Sequence, residues 1–285
     1  MKKILAIILA AVCLFSLVSM TACTTKGAPS NNSTANKSKA SSSITINSNI
    51  LTIGMDNTYP PMEYTDDANN TIGFDVDVAN EIAKRLNLEV KIVPTAWDGI
   101  FQSLKTNKFD CIISSVSISP DRLKNFTFTK PYVNNSQMIV VKPGDNSITK
   151  KEDLKDKRVG CQINTTANDS ANAILKTIKF PLTTCDQIIQ PFADMKAGRL
   201  DAIIVDEVVG KYYIAQDSKN FKAATAKLTN EPIGVCFKQG NTVLRDKVQT
   251  ALNSIFADGT MKTLSMKWFK QDITVNIDPN YKQLS

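Results

Sequence analysis

The chain has 285 residues, enough for two lobes with buried cores and no need of disulfides or zinc to fold. It contains no histidine, which excludes Ser-His-Asp and Cys-His catalysis, the HExxH zinc helix and phosphohistidine relays. Of the +7 formal charge, Lys2, Lys3, Lys26, Lys37 and Lys39 place +5 on the acid-free segment 1–48, so only +2 falls on the rest. With no basic patch interleaved with aromatics, no nucleic acid is expected as a partner.

Lys2-Lys3 and the apolar run Ile4–Val18 have the layout of a secretory signal over residues 1–22. The run is shorter than the roughly 20 residues that a transmembrane helix needs. Met20-Thr21-Ala22-Cys23 resembles the bacterial lipobox, with Met where Leu is usual. That resemblance implies cleavage before Cys23 and a lipid on its thiol. The alternatives are ordinary cleavage beside an incidental cysteine, and an uncleaved anchor. Residues 23–48, rich in Ser, Asn, Thr, Lys and Ala, have almost nothing to bury and read as a flexible tether. Lipid and tether would hold the folded part outside the cell membrane but close to it.

From Leu51 onward short apolar runs alternate with amphipathic helices. Leu51–Met55 reads as a strand, and Val76, Ala79, Ile82, Ala83 and Leu86 recur at helical spacing. Glu89–Val93 is a second strand, Trp97, Ile100, Phe101 and Leu104 share a helical face, and Cys111–Val116 is a third strand. The same grammar restarts with strand Arg158–Gln162, helix Asn168–Thr177, strand Leu182–Cys185, helix Phe192–Ala197 and strand Ala202–Val205. Leu104–Ile113 and Met195–Ile204 read as copies of one another: helix end, turn, Asp, buried strand. The expected fold is therefore α/β, with two lobes of like construction. Gln137–Lys142 and Ile233–Phe237 are the two expected crossings, giving lobe one as 49–138 with 235–285 and lobe two as 139–234. Helices over about Thr242–Ala257 and Thr260–Phe269 would return to lobe one.

Cys111, Cys161 and Cys236 each lie in a strand-like run, where a buried thiol acts as a small hydrophobe. An extracytoplasmic location permits disulfides, and Cys161–Cys185 is the first pairing to expect if one forms. The spacing offers no metal cluster and no CxxC.

Ligands of open α/β sheets bind beyond the carboxyl ends of the strands. Those ends carry Ser114-Ser115-Val116-Ser117 in one lobe and Asp206 in the other. Ser119-Pro120-Asp121-Arg122 reads as a helix start, whose N-terminus attracts anions and whose Arg122 can grip a carboxylate. A solvated surface arginine is the alternative. Asn164-Thr165-Thr166 offers a second helix start with hydroxyls. Asp206 suits an ammonium group, or else caps a helix. Tyr59 and Trp97 are either aromatic slabs around a ligand side chain or core residues. A carboxylate grip together with an ammonium acceptor describes an α-amino acid.

Leu51 to about Gln271 resembles the family 3 solute-binding proteins of polar amino acid ABC transporters. The resemblance is carried by Ile53–Glu63 (IGMDNTYPPME), Gly73–Asp77 (GFDVD), Pro94–Gly99 (PTAWDG), Phe109-Asp110 through Arg122, Phe128–Tyr132 (FTKPY), Asp258-Gly259-Thr260 and Lys267-Trp268-Phe269. It implies a type II periplasmic-binding-protein-like fold, two α/β lobes joined by two hinge crossings. It implies that Arg122 holds the ligand carboxylate with Ser117 and Thr165 or Thr166, and that Asp206 and the Ser115 region hold the amino group. Asp56, Tyr59, Trp97, Ser114 and Gln162 would line the side-chain pocket. The chain departs from the pattern at Asn164, where Gly usually precedes the paired threonines, and at Met62, where Phe is usual. The implied activity is capture by hinge closure and delivery to a membrane permease and its ATPase, by a monomer, with no cofactor and no catalysis. Asp56 points to a basic or amide side chain, with cystine as the alternative and glutamate, which an ionised Asp56 would repel, after it. A cyclohexadienyl-dehydratase-like enzyme and an adhesin are readings from other classes. A lipid tether suits a cell without an outer membrane, so a Gram-positive source is expected.

Overall fold

The computed structural model describes residues 43–275 and 277, the side chains of 225–227 excepted. The expected signal and Cys23 lie outside these residues. In chain order, the first lobe opens with β1 (Ile50–Met55), β2 (Thr58–Tyr59), β3 (Glu63–Thr65), β4 (Thr71–Ile72) and α1 (Phe74–Leu86). It continues with β5 (Glu89–Pro94), α2 (Trp97–Lys105), β6 (Cys111–Ile112), α3 (Pro120–Leu123) and β7 (Phe126–Phe128). The second lobe holds β8 (Gln137–Val141), β9 (Val159–Gln162), α4 (Thr166–Leu175), β10 (Leu182–Cys185), α5 (Ile189–Lys196), β11 (Ala202–Asp206), α6 (Glu207–Gln216) and β12 (Lys222–Lys227). The chain then returns to the first lobe with β13 (Cys236–Lys238), α7 (Thr242–Ala257) and α8 (Thr260–Phe269).

Each lobe is built on a five-stranded sheet, ordered β5-β1-β6-β13-β7 in the first and β10-β9-β11-β8-β12 in the second. In both, the three strands of the βαβ units run parallel, one strand (β13 or β8) runs against them, and the edge strand (β7 or β12) pairs antiparallel with that one. Alternation along β1 sets the layers. Leu51, Ile53 and Met55 join the core under α1 and α7, while Gly54 faces the other way. A Cβ on Gly54 would stand 2.4 Å from the Phe109 ring, so only glycine lets that ring lie flat on the strand. Ile100, Leu104, Phe109 and Phe128 form the core on that second face.

The repeat seen in the sequence has a physical cause. After α2, Asn107 turns the chain with φ 59°, and after α5, Gly198 does so with φ 78°. Asp110 then accepts the Thr52 N–H at 2.8 Å, and Asp201 accepts the Arg158 N–H at 2.9 Å. In each lobe, a carboxylate at the start of one parallel strand satisfies an amide at the start of its neighbour.

Three expectations need correcting. Gln137–Val141 is not a crossing: β8 pairs along its whole length with β11 and β12 inside the second sheet. The crossings lie upstream, where Val133 and Ile233 bridge antiparallel and Glu231 N–H donates to the Asn135 carbonyl at 2.7 Å. A fully buried run reads the same from sequence whether it links sheets or sits inside one. The expected tether ends earlier than residue 48, because Thr45 is buried, Asn47 bridges to Ile50, and Ile46 N–H donates to Asp110 at 2.6 Å. Finally, Cys111, Cys161, Cys185 and Cys236 are free thiols. Cys161 is registered with Thr184 and Cys185 with Gln162, so the two thiols are offset by one residue and point to opposite faces of the sheet.

Candidate functional site

The cleft between the lobes is walled by loops at the carboxyl ends of β1, β6, β9 and β11. Lining it are Asp56, Tyr59, Glu63, Trp97, Ser114, Ser115, Ser117, Arg122, Gln162, Thr165, Thr166 and Asp206. Every expected site residue is brought together there except Val116. The Val116 side chain packs into the core with Ile112 and Ile118, and its carbonyl accepts from Gly234 N–H at 3.1 Å. Among the described residues no group of Cys, Asp and Glu is arranged to hold a metal.

Three hydrogen-bonded clusters organise the lining. The first holds Arg122. Ser119 caps the one-turn α3 and Pro120 opens it, which fixes the Arg122 backbone. A helix of four residues has little dipole to offer an anion, so the expected role of this N-terminus passes to the Arg122 side chain. Its guanidinium donates to the Ser117 carbonyl at 2.9 Å and lies 5.3 Å from the Trp97 ring centroid and 4.9 Å from that of Phe101. Burial lowers its pKa, but a guanidinium stays charged at any physiological pH. Thr165 caps α4 by accepting the Asn168 N–H at 3.2 Å, and Thr166 Oγ1 lies 3.4 Å from Ser117 Oγ across the cleft.

The second cluster surrounds Asp206. Tyr59 O–H donates to it at 2.6 Å from the opposite lobe, and the Asn135 and Gln137 amides donate at 2.8 and 2.5 Å. Asp206 is the first residue before α6 but makes no side-chain cap bond, so the capping alternative fails. Burial raises its pKa to about 6, against the lowering pull of the Tyr59 hydroxyl. Tyr59 is thus a cross-lobe donor as well as an aromatic wall. Burial and the Asp206 charge hold its hydroxyl pKa well above the usual value.

The third cluster is acidic. Gln162 donates to Asp56 at 2.9 Å, Asp56 N–H donates to Ser114 Oγ at 3.0 Å, and Ser114 O–H donates to Glu63 at 2.8 Å. Behind them Asp75 accepts the Tyr132 O–H at 2.8 Å and the Ser115 N–H at 2.7 Å. Burial raises Asp56, brings Asp75 to about 6 and, with Asp75 beside it, pushes Glu63 well above the carboxylate range. Two buried carboxylates in contact cannot both ionise, so Glu63 keeps its proton. Glu63, only 1% exposed, was not among the expected site residues. Nothing in Pro60-Pro61-Met62-Glu63 says that the short β3 turns this side chain inward; its place among the motif residues was the only signal. Asn135, on the crossing, and Gln137, which opens β8 beside Asp206, are partners of Asp206 that were missed, because the apolar run after them reads from sequence as a link between the lobes.

Ser115 Oγ, on the cleft wall, is buried and has no hydrogen-bond partner. Buried polar atoms in folded proteins are nearly always paired, so this hydroxyl, facing the cleft between Arg122 and Asp206, suits a polar ligand.

A sequence model of the bacterial extracellular solute-binding proteins, family 3, matches residues 51–271. The chain belongs to that family. It is 31% identical over 225 residues to the L-cystine-binding protein TcyJ of Escherichia coli, covering 79% of this chain and 84% of the relative. It is also 31% identical to the L-cystine-binding protein TcyA of Bacillus subtilis over 268 residues, 92% of this chain and 97% of the relative. Among solved structures it resembles an ancestral arginine-binding protein bound to arginine, with TM-score 0.75 and 34% identity over 78% of this chain and 98% of that one. The fold is that of the type II periplasmic amino-acid-binding proteins, and this family 3 chain is a solute-binding protein of amino acid transport. Asn164, its departure from the family pattern, takes the left-handed φ of 56° that a glycine would take there.

Proposed function

We propose that this chain captures a polar amino acid with a basic or amide side chain by hinge closure and hands it to an ABC transporter permease. The observation that carries the reading is the pairing, in one buried cleft, of Arg122 and the donor-ringed Asp206 with an acidic end that holds no protein cation. Arg122 with Ser117 and Thr166 suits an α-carboxylate, and Asp206 suits the α-ammonium. Asp56 and Glu63 then face the side chain. Bonds such as Tyr59–Asp206 and Gln162–Asp56 form only when the lobes meet, so closing excludes water and strengthens every charged contact inside.

Cystine is the second reading, favoured by the names of the relatives in E. coli and B. subtilis. Its far ammonium fits Asp56, but its far carboxylate meets the same acidic end. A thermal-shift panel of the unfolded and refolded protein decides between them. Stabilisation confined to arginine, lysine, ornithine, histidine or glutamine supports the basic or amide reading. Stabilisation by cystine alone replaces it. Asp56→Asn is expected to weaken a basic ligand by about 1.5–3 kcal/mol in titration calorimetry. An unchanged affinity refutes the pairing.

Catalysis is not part of this reading. With no histidine in the chain, Asp206 is the best candidate acid, and Tyr59, Asn135 and Gln137 already occupy its oxygens. Turnover of a cyclohexadienyl carboxylic acid by the purified protein would overturn it.

The anchor belongs to the same proposal: a signal over 1–22, a lipid on Cys23 and a tether leading to the folded lobes of a monomer, on the outer face of a Gram-positive membrane. Among the described residues no helix is long and apolar enough to cross a membrane. Cys23→Ser is expected to shift the protein from the membrane pellet to the soluble fraction, and retention in the pellet refutes lipidation.

A further inference from the structure

At the mouth of the cleft, Asn164 lies in the loop between β9 and α4. Its carbonyl accepts the Trp97 indole N–H at 2.9 Å. Its side-chain amide donates to the Asp98 carboxylate, and both of these side chains are solvent-exposed. Trp97 and Asp98 are the first two residues of α2. One residue of the second lobe therefore grips a single turn of the first lobe by main chain and side chain together. Asn164 N–H donates to Asn168 Oδ1 at 3.3 Å, which ties the loop back to α4.

This contact differs in kind from the other bonds between the lobes. Tyr59–Asp206 and Gln162–Asp56 join residues that line the pocket, so any ligand reorganises them. Neither Asn164 nor Asp98 lines the pocket. Their bond exists only while the lobes are together, and its free energy belongs to the closed state alone.

We propose that the Asn164 side chain is a closure clasp, which stabilises the closed lobes through Asp98 without touching the ligand and so lengthens the residence of every ligand by the same factor. The proposal rests on the reading of the cleft as a closing amino-acid site. A charged acceptor strengthens the bond and exposure limits it, so the expected effect on dissociation is about 3- to 10-fold.

Asn164→Gly keeps the left-handed backbone and the carbonyl that holds Trp97, and removes only the amide. Asp98→Ala removes the acceptor, while Asp98→Asn keeps an acceptor oxygen. Dissociation of radiolabelled L-arginine, L-glutamine and L-cystine is followed after a chase with unlabelled ligand. Asn164→Gly and Asp98→Ala are expected to release each probe that binds about 3- to 10-fold faster, leaving the order of affinities unchanged, with Asp98→Asn within about twofold of the parent. Small-angle scattering of the ligand-free protein is expected to give a larger radius of gyration for Asn164→Gly. Parent-like rates in both Asn164→Gly and Asp98→Ala, or an acceleration confined to one amino acid, would overturn the clasp. If no probe binds the parent protein, the ligand reading has failed, and the scattering comparison alone decides: an unchanged radius of gyration refutes the clasp.

Discussion

Arg122→Ala is expected to weaken binding of every amino acid ligand by about two orders of magnitude, whatever its side chain. Removing one partner of a buried, hydrogen-bonded charge pair costs about 2–5 kcal/mol, because the other charge is left unpaired, and 2.7 kcal/mol is roughly a factor of 100. The α-carboxylate is common to all candidates, so the loss should be uniform across arginine, lysine, glutamine and cystine. Arg122 lies against the edge-packed pair of Trp97 and Phe101 rings and on the Ser117 carbonyl, which hold its planar head in one orientation. Arg122→Lys keeps the charge but loses the fork and the stacking, so its affinity should fall between parent and alanine variant. Titration calorimetry checks both, with a ligand-free melting curve to show that the variants fold. A loss limited to one amino acid would place Arg122 at the side chain rather than at the carboxylate.

Asp206→Asn is expected to weaken all ligands by about 2–3 kcal/mol and to flatten the pH dependence of L-glutamine binding between pH 8 and 5. Tyr59, Asn135 and Gln137 all donate to this carboxylate, so an amide in its place sets an N–H against donors as well as losing the charge. Burial holds the Asp206 pKa near 6 in the ligand-free protein, so below that pH a proton occupies the place of the ammonium. Affinity is therefore full above about pH 7 and falls by up to about tenfold per unit once the pH drops below 6. The contribution of Asp206 to folding stability has the opposite sign. Between pH 6 and about 4 the folded carboxyl keeps a proton that the unfolded one has released, so ligand-free stability gains as the pH falls through 6. Asp75, also near 6, adds to that gain. L-Glutamine is the better probe if it binds, because its neutral side chain leaves Asp56 and Glu63 out of the titration. A flat affinity profile from pH 8 to pH 5 in the parent protein would refute Asp206 as the ammonium partner.

Some parts of the molecule were legible in the residues because they obey local rules. Short apolar runs marked β1 and β11, and helical spacing marked α1 and α2, since burial imposes those patterns. The two Asp-led copies were visible because the same amide of a parallel neighbour must be satisfied in each lobe. Cys111–Val116 shows the limit. Only Cys111–Ile112 pairs as a strand, because Ser115 turns into the left-handed region with φ 48° to deliver its N–H to Asp75. An apolar run gives no sign of that turn.

What the sequence determined by itself is the class of the elements in the two βαβ units and the residue types at the strand ends: hydroxyls, one arginine and one aspartate where an open α/β sheet presents its ligand. Those follow from burial periodicity and from the rule that loops at the carboxyl ends of parallel strands carry the site. Tertiary structure alone decided which of these groups meet. The placement of the crossings at Val133 and Ile233, the turning of Glu63 into the cleft, the reach of Tyr59 to Asp206 over 147 residues of chain, and the separation of Cys161 from Cys185 all depend on register and lobe closure. Register is a property of paired strands and closure a property of two lobes, and no local stretch of residues encodes either one.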